Sequence, residues 1–316
     1  MTYKILLVGT GNLGIRYLQG LLKVNQSLII HAYDINSIAI KKAKRAIKSL
    51  IDIKKKKHKV LFIKKIPNKK IFYEIAIIAS TSKKREKVIY NLAKTNEIKY
   101  WILEKVLAQN ITSLIRIKKT LNSQMAWVNT PHRTMKWFHR IKENSLKKKN
   151  ICVVKGTNWG LLCNSIHYID FMSWWTGENI KNISTSKLNK NWFNSKRKGF
   201  LESEGEISIN YDKGSKLRVL CKRSKKNISN ILIKINDWEI SLFEGIAIKN
   251  NKTVLKGKFE LQSKMTKKLV ESLIRTGKCE LPSLEVSAEI HKFYLEALLL
   301  HLNQKSKRVV KTVPIT

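Results

Sequence analysis

Near the start of the chain, residues 3–14 read YKILLVGTGNLG. Tyr3 to Val8 form a short apolar run, which is typical of a strand buried on both faces. Gly9, Gly11 and Gly14 follow with the spacing GxGxxG and open a helical stretch that continues to about Val24. The order of strand, glycine cluster and helix predicts the first turn of a dinucleotide-binding Rossmann fold.

Each of the three glycines has its own task in such a turn. Gly9 permits the tight turn, Gly11 lets the backbone approach a pyrophosphate, and Gly14 lets the helix lie close to the strand. The free amides at the start of the helix, at Asn12 and Leu13, then face the phosphates. Glycines that only make a turn are the alternative interpretation.

Asp34 extends the motif. It lies twenty residues after Gly14, at the end of a second predicted strand from Ser27 to Tyr33. A carboxylate at this position accepts hydrogen bonds from the adenosine ribose hydroxyls and repels a 2′-phosphate. We therefore expect the cofactor to be NAD(H), with NADP(H) disfavoured.

The rest of the first part of the chain continues the alternation of strand and helix. Short apolar runs at 60–63, 75–79 and 100–103 are each followed or preceded by a helical pattern, up to about residue 121. Such alternation indicates a parallel sheet with right-handed crossovers. We assign residues 1–124 to an NAD(P)-binding Rossmann domain with a doubly wound parallel sheet.

The pattern changes after residue 122. Several runs alternate in polarity, with hairpin turns predicted at Asn236-Asp237 and Asn250-Asn251, and the last run spans 253–261. Two helices close the chain, at about 263–276 and 284–302. We assign residues 125–316 to an α+β domain for substrate binding and oligomerisation, with a mostly antiparallel open sheet. The fold class is α/β overall.

The net charge is +41, with 63 Lys and Arg against 22 Asp and Glu. One interpretation is a polyanion-binding protein, for nucleic acid or an anionic membrane. However, basic runs such as 54–57, 147–149 and 222–226 recur along the chain instead of clustering with aromatic residues on one element. Lys, Asn and Ile are all in excess, as AT-rich codons produce. We expect compositional drift and no specific nucleic-acid partner, although the field still attracts anionic ligands.

The sequence also bears on location. No run of about 18 apolar residues occurs, and the first residues lack the pattern of a secretory signal, so we expect no membrane span. The four cysteines are far apart and form no CxxC, so we expect no metal site, and the fold requires no disulfide. A cytoplasmic protein is the simplest interpretation.

Glu104-Lys105-Val106 follows the fifth predicted strand. A lysine at the carboxyl edge of a parallel sheet points into the ligand crevice, where it can donate a proton to a carbonyl oxygen or polarise a hydroxyl. A solvated surface lysine is the alternative interpretation of Lys105, because the chain is rich in lysine.

His167 and Asp170 are three residues apart on a predicted helix from Cys163 to Trp175, so they share a face. An acid beside a histidine orients its ring and raises its basicity. A histidine satisfied in the core is the alternative. Lys196-Arg197, in a later loop, can clamp a carboxylate or phosphate, or can be a solvated basic run.

Taken in this order, these residues resemble the Gfo/Idh/MocA oxidoreductases over the whole chain. Ala79-Ser80-Thr81 matches the cofactor half of the family, and Glu104-Lys105-Val106 stands where the family has Glu-Lys-Pro with a catalytic lysine. His167 and Asp170, within NSIHYIDFMSWWTGE, stand where the family has its HxxD helix. The resemblance implies that Ser80, Thr81, Glu104 and Lys105 contact the cofactor.

The chain departs from the family at three positions. Val106 replaces the proline, and Cys163 stands where many members have an aspartate four residues before the histidine, with Asn164 beside it. Arg85 stands where members often have a histidine. We expect a rewired acid–base relay, in which Asn164 supplies only a hydrogen bond.

The resemblance implies hydride transfer to or from a ring carbon of a sugar or sugar derivative. A nucleotide-linked sugar of surface-glycan synthesis is the finer expectation from the same resemblance. His167 is then the base, Asp170 orients it, and Lys105 bonds the same oxygen, although either Lys105 or His167 can be the formal base. Asn129, Asn164, Lys196 and Arg197 are candidate substrate-binding residues. We also expect a homo-oligomer through the sheet of the second domain.

Two further functions stay open besides polyanion binding. Redox-neutral, NAD-dependent cleavage of glycosides also occurs among proteins of this family. A non-catalytic sensor or regulatory protein is suggested by the loss of the proline and of the aspartate.

Overall fold

The computed structural model describes residues 1–53, 57–66, 70–143, 148–226, 231–250, 252–304 and 308–316. Residues 54–56 and 147 of the basic runs, and Asn251 of a predicted turn, lie outside these residues. In chain order the elements are β1 Thr2–Val8, α1 Asn12–Leu21, β2 Ser27–Tyr33, α2 Ser37–Ile53, β3 His58–Ile63, β4 Phe72–Ile78, α3 Ser82–Thr95, β5 Glu97–Leu103, α4 Ile111–Thr120, β6 Met125–Val128, a 3₁₀ turn at Pro131–Thr134, α5 Lys136–Glu143, β7 Ile151–Thr157, α6 Leu161–Thr176, β8 Ile180–Ser184, β9 Phe193–Asn194, β10 Leu201–Glu202, β11 Gly205–Tyr211, β12 Lys216–Lys222, β13 Ile231–Ile235, β14 Trp238–Ser241, β15 Ile246–Lys249, β16 Lys252–Lys256, α7 Gln262–Thr276 and α8 Leu284–Asn303.

The chain forms two compact units, each built from three segments. The first comprises Met1–Leu107, Ile115–Asn129 and Glu260–Leu284. The second comprises Ala108–Leu114, Thr130–Phe259 and Glu285–Thr316. The glycine motif, β6 and α7 therefore belong to one unit, and α6 and α8 belong to the other.

The first unit is built on a six-stranded sheet with the order β3-β2-β1-β4-β5-β6, in which all pairs are parallel. The strand order reverses direction at β1, which places the carboxyl ends of β1 and β4 side by side at the point where ligands bind in such sheets. Ile5 to Val8 of β1 are almost fully buried, as expected of a parallel strand covered on both faces. The predicted Rossmann fold is confirmed.

A late segment completes the core of this unit. Val270 and Leu273 of α7 join the cluster that includes Leu18 and Leu21 of α1. Gly20 makes the contact close, because a Cβ atom added there would lie 2.5 Å from the Ser263 carbonyl oxygen. The helix α7 thus covers α1, although the two are far apart in the sequence. The Asn25 amide, just after α1, donates a hydrogen bond to Oε1 of Glu271 on α7, and 246 residues separate these two partners.

The second unit is built on an eight-stranded sheet with the order β16-β15-β14-β13-β7-β12-β11-β8. Its pairs are antiparallel except β7 with β12, so the predicted mostly antiparallel sheet is confirmed. Buried and exposed residues alternate along β12, which contacts α6 with one face. Gly177 ends α6 in the left-handed conformation, which glycine adopts readily at the C-terminus of a helix.

The end of the sheet differs from the prediction. Asn236 has φ 53° between β13 and β14, which agrees with the predicted hairpin. The strand predicted at 253–261 ends at Lys256, and the strand β15 before it was not predicted. The reason is that β15 is only four residues long, so a period of two has little room to appear.

In the part of the chain that the structure describes, none of the helices has the length and apolar character needed to span a bilayer.

Candidate functional site

The glycine turn of the first unit joins β1 to α1. Gly9 has φ 96°, and a Cβ atom there would lie 3.0 Å from the Ala79 backbone. A Cβ atom on Gly14 would lie 2.0 Å from the Gly9 carbonyl oxygen, a distance that real side chains do not reach. A Cβ atom on Gly11 would have no atom within 4 Å among the described residues. Gly14 therefore serves close packing, whereas Gly11 faces open space.

The start of α1 is suited to an anion. Gly11 is the N-cap residue, and among the described residues no side chain caps the helix and no acid lies in its first turn. The first amides of a helix carry partial positive charge and need acceptors. Asn12 and Leu13 supply two of these amides, and Lys42 adds a cation there by donating to Asn12 Oδ1 at 2.9 Å. A pyrophosphate fits this arrangement.

Asp34 lies beside the same turn, at the end of β2. Its Oδ2 accepts hydrogen bonds from the Thr10 amide at 2.7 Å and from the Thr10 hydroxyl at 3.1 Å, and its Oδ1 accepts one from the Asn36 amide at 2.9 Å. The carboxylate is only partly buried. The structure thus brings together Asp34 and the glycine turn, as the fingerprint predicts.

Ser80 and Thr81 follow β4 and approach the turn from the other side. The Ser80 amide nitrogen lies 3.1 Å from the position that a Gly9 Cβ atom would occupy. Thr81 is the N-cap residue of α3. Ser80 is therefore adjacent to the glycine turn, and its predicted cofactor contact stays a prediction.

Glu104 and Asn129 meet in a buried network of the first unit. Tyr17 donates its hydroxyl proton to Glu104 Oε1, and Asn129 Nδ2 lies 2.6 Å from the same oxygen. Asn129 Nδ2 is also 3.0 Å from Gln262 Oε1 on α7. Burial, and then the charge of Glu104, raise the pKa of Tyr17 well above its usual value. This network fixes Glu104 immediately before Lys105. The sequence did not predict the network, because a tyrosine on the apolar face of α1 is too weak a signal for it.

Arg85 holds the backbone around Lys105. Its side chain is 1 % exposed and donates to the carbonyl oxygens of Val106, Leu107 and Ser80. The peptide between Lys105 and Val106 is cis. Arg85 thus joins the loop after β5 to the loop after β4, and Lys105 itself is partly exposed.

In the second unit, α6 carries His167 and Asp170. Arg133 of the 3₁₀ turn binds both oxygens of Asp170, with Nε to Oδ2 at 3.0 Å and Nη2 to Oδ1 at 2.7 Å. Asp170 is 1 % exposed, and this burial raises its pKa to about 6 despite the lowering effect of Arg133. The predicted role of Asp170 in orienting His167 stays a prediction, while its carboxylate is bound to Arg133.

His132 lies beside His167. The centroids of the two imidazole rings are 5.2 Å apart, at an interplanar angle of 42°. The sequence reasoning did not single out His132 or Arg133. The available signal was their place directly after β6, because the carboxyl ends of parallel strands are where ligand-binding residues gather.

The other residues predicted in the second unit lie on α6, within one turn of His167, and in the loop that joins β9 to β10. Asn164 Nδ2 donates to the Trp159 carbonyl oxygen at 2.6 Å, and Cys163 Sγ contacts the Thr316 carbonyl oxygen at 2.8 Å. Lys196 and Arg197 are exposed in the loop that joins β9 to β10. The described residues contain no group of three His, Cys, Asp or Glu side chains placed to hold a metal ion.

No protein-family profile matches this chain, and no curated protein sequence matches it. Solved structures do match over nearly the whole length. The myo-inositol dehydrogenase of Lactobacillus casei, in complex with NAD(H) and myo-inositol, has a TM-score of 0.67 at 14 % identity, over 97 % of this chain and 96 % of its own. An oxidoreductase of Agrobacterium radiobacter in complex with NAD⁺, L-tartaric acid and magnesium has a TM-score of 0.69 at 12 % identity, over 96 % and 97 %.

A third match is the UDP-N-acetylglucosamine 3-dehydrogenase of Acidithiobacillus ferrooxidans, with a TM-score of 0.66 at 8 % identity, over 94 % of this chain and 97 % of its own. At such low identity the likeness speaks for the fold. The chain shares the fold of these solved structures over nearly its whole length, so the fold that the resemblance implies is confirmed.

Proposed function

We propose that this chain is an NAD(H)-dependent oxidoreductase that acts on a CH–OH group of a sugar or sugar derivative. The observation that carries the proposal is the contrast between Gly14, which has no room for a side chain, and Gly11, which faces open space at an uncapped helix start beside Asp34. A turn that served only the fold would not need Gly11.

The residues of the first unit would hold the cofactor. The amides at Asn12 and Leu13 would bind the pyrophosphate, and Asp34 would exchange its bonds to Thr10 for bonds to the ribose hydroxyls. Gly9, Ser80, Thr81, Glu104 and Lys105 line or support the same edge of the sheet. When bound, the nicotinamide ring would accept or supply the hydride.

The proton chemistry would come from Lys105 and His167. His167 would take the proton of the substrate hydroxyl during oxidation, and Lys105 would donate a hydrogen bond to the same oxygen and stabilise the negative charge that develops there. This joint action is a proposal that kinetics can test, and either group can be the formal base.

A sugar is the substrate class that we propose, because the solved structures that match include a myo-inositol dehydrogenase and a UDP-N-acetylglucosamine dehydrogenase. A nucleotide-linked sugar of surface-glycan synthesis is the finer proposal, and it rests on the sequence resemblance. The high positive charge favours such an anionic substrate. Asn129, Asn164, Lys196 and Arg197 stay candidates for substrate binding, and a cytoplasmic location stays a prediction.

We also propose a homo-oligomer that forms through the second unit's sheet. Register places Lys155, Leu220 and Leu232 on the same sheet face. Leu220 and Leu232 are only partly buried there, although both are large apolar residues. A second copy of the chain would cover them.

Enzyme assays test the proposed function. A panel of sugars, inositols and nucleotide sugars is screened for a change in NADH absorbance, and the variants follow on any substrate found. We expect Lys105→Ala and His167→Ala each to lower kcat by about 10²-fold or more while the Kd for NADH changes little. The double variant should lose less than the product of the two, because groups that act as a unit are not additive.

Lys105→Arg is the matched control for charge, and we expect it not to restore turnover, because a guanidinium stays protonated and has a different shape. Wild-type turnover in Lys105→Ala would contradict the assignment of the lysine. Tight NADH binding without turnover of any sugar would favour a non-catalytic NAD-binding sensor.

A further inference from the structure

The 3₁₀ turn at Pro131–Thr134 contacts both members of the predicted pair on α6. Arg133 binds Asp170 through two hydrogen bonds, and the ring of His132 lies 5.2 Å from the ring of His167. All four residues belong to the second unit. One short turn therefore supplies a separate neighbour for the carboxylate and for the imidazole.

His132 is fixed in place by aromatic rings. It is 5 % exposed, and its ring centroid lies 5.0 Å from that of Tyr168. Phe138, Phe171 and Phe259 surround it at 6.3 to 6.4 Å. Such an enclosure holds the ring in one orientation and strengthens its electrostatic interactions, because little water screens them.

Asp170 has a pKa that burial raises to about 6, within the range in which an imidazole titrates, but Arg133, which stays charged, binds both of its oxygens. Two further titratable groups near the histidines do not exchange protons near neutral pH or are engaged elsewhere. Burial raises the pKa of the Tyr168 hydroxyl far above the neutral range. Cys163, at the position where an aspartate would precede His167, contacts the Thr316 carbonyl oxygen. An imidazole, in contrast, gains and loses its proton between about pH 5 and 8.

We propose that His132 is a positioning residue that shares a proton with His167 and replaces the aspartate that is absent at Cys163. The proposal rests on the proposed function of His167. When the substrate O–H bond breaks, its proton forms an N–H bond on His167. The N–H proton on the opposite side of that ring then passes to His132, through a hydrogen bond or one water molecule. The two rings gain one positive charge in total, and the return of the proton reverses each step.

Histidine titration by NMR tests the sharing without substrate or cofactor. The seven histidines are labelled with ¹³C at Cε1, and the signals of His132 and His167 are assigned by substitution. Neighbouring imidazoles disfavour a second charge, so we expect both signals of the wild type to follow two shared steps. The variant His132→Phe keeps an aromatic ring among the phenylalanines. In this variant we expect His167 to titrate in one step, about one pH unit above the first of the two deprotonation steps of the wild-type histidine pair.

His301→Phe is the matched control. His301 is equally buried in the same unit and stacks on Trp192 at 6.0 Å, a contact that phenylalanine keeps. This variant should leave the titration of His167 unchanged. If His132→Phe melts early, His132→Gln removes the titrating group with a smaller change in polarity. A His167 titration that is the same with and without His132 overturns the proposal.

The activity assay separates this proposal from the proposed function. On any substrate found, His132→Phe should lower kcat on the order of tenfold and remove one limb of the pH profile, while the Kd for NADH stays unchanged. If His132 and His167 titrate together but the protein turns over no sugar, the proton sharing is supported and only the proposed dehydrogenase activity is contradicted. Unshared titration in an active enzyme would overturn the proton sharing alone.

Discussion

At the scale of single residues, we expect Asp34 to determine which of the two nicotinamide cofactors binds more tightly. Its carboxylate already accepts two hydrogen bonds from Thr10, so it is oriented toward the turn before any ligand binds. We expect NADH to bind more tightly than NADPH. In Asp34→Ala the ratio of the two dissociation constants should fall by about tenfold, or ~1.4 kcal/mol. Fluorescence titration of both cofactors measures the two affinities.

Asp34→Asn is the control for charge, because it keeps an oxygen acceptor but removes the repulsion of a 2′-phosphate. We expect it to gain affinity for NADPH while losing less for NADH than Asp34→Ala. Equal or reversed affinities in the wild type would show that Lys42, which already lies at the start of α1, overrides the carboxylate.

Arg133 compensates a buried charge, and its removal should destabilise the fold in a pH-dependent way. Burial raises the pKa of Asp170 to about 6 in the folded chain, against about 3.9 when unfolded. The contribution of this carboxyl to stability is therefore complete below about pH 4 and is lost as the pH rises through about 6. Without Arg133, ionisation of Asp170 becomes still less favourable.

We expect Arg133→Met to lower the free energy of unfolding by about 3–5 kcal/mol at pH 8, and by clearly less at pH 5, where Asp170 takes up a proton. Urea unfolding at the two pH values measures the difference. Arg218→Met is the control: in the wild type the Arg218 hydrogen bonds lower the pKa of its partner Glu206 to about 2, the opposite direction to Asp170. We therefore expect the loss of stability in Arg218→Met not to become smaller at pH 5. An equal loss at both pH values for Arg133→Met would contradict this account.

The residue scale also shows what the sequence could not reveal. The spacing of three residues placed His167 and Asp170 on one helix face, because helical geometry is local. Nothing local indicated that Arg133, 37 residues earlier in the chain, would bind the carboxylate. Likewise, Glu104 was predicted at a sheet edge and Asn129 as a candidate substrate-binding residue, but their shared contact with Tyr17 arises only when α1 lies on the sheet.

At the scale of elements, the turn between β1 and α1 offers a test with two matched substitutions. A Cβ atom on Gly14 would collide with the Gly9 carbonyl oxygen, so we expect Gly14→Ala to displace α1, lower the melting temperature and abolish NADH binding. Gly11 has φ −65°, which alanine adopts without strain, and space around it. We expect Gly11→Ala to keep the melting temperature and weaken NADH binding on the order of tenfold.

Thermal melting and NADH titration are measured for both variants. Together they show whether each glycine is needed for the packing of α1 or for the binding of NADH. Unchanged NADH affinity in Gly11→Ala would mean that no ligand approaches this backbone. A melting temperature in Gly14→Ala equal to that of the wild type would mean that α1 can shift without cost.

The elements themselves were largely predictable. Short continuous apolar runs predicted the strands of the first unit to within a few residues, as for the strand at Ser27–Tyr33. Helical patterns predicted α6, α7 and α8 equally well. Short or mixed elements were missed, among them α5 at Lys136–Glu143 and β8 at Ile180–Ser184. Their apolar residues are too few to establish a period, and contacts distant in sequence stabilise them instead.

At the scale of the whole molecule, the net charge of +41 predicts how strongly the protein binds polyanions and how this binding depends on salt. If the excess of lysine is compositional drift, duplex DNA should bind weakly at ~0.15 M salt, and the affinity should fall steeply as salt rises. Fluorescence anisotropy with several duplexes of equal length and different sequence measures both properties. Sequence-selective binding that resists salt would instead support a nucleic-acid partner.

The return of α7 to the first unit has a consequence for synthesis on the ribosome. Val270, Leu273 and Leu281 belong to the core around α1, yet they are translated after the entire stretch from residue 130 to residue 259. At ~5–20 residues per second, that stretch takes on the order of ten seconds. During this interval the nascent chain already contains the complete glycine motif but lacks the helix that covers it, so the apolar side of α1 is available to chaperones or to a neighbouring nascent chain until the last quarter of the protein emerges.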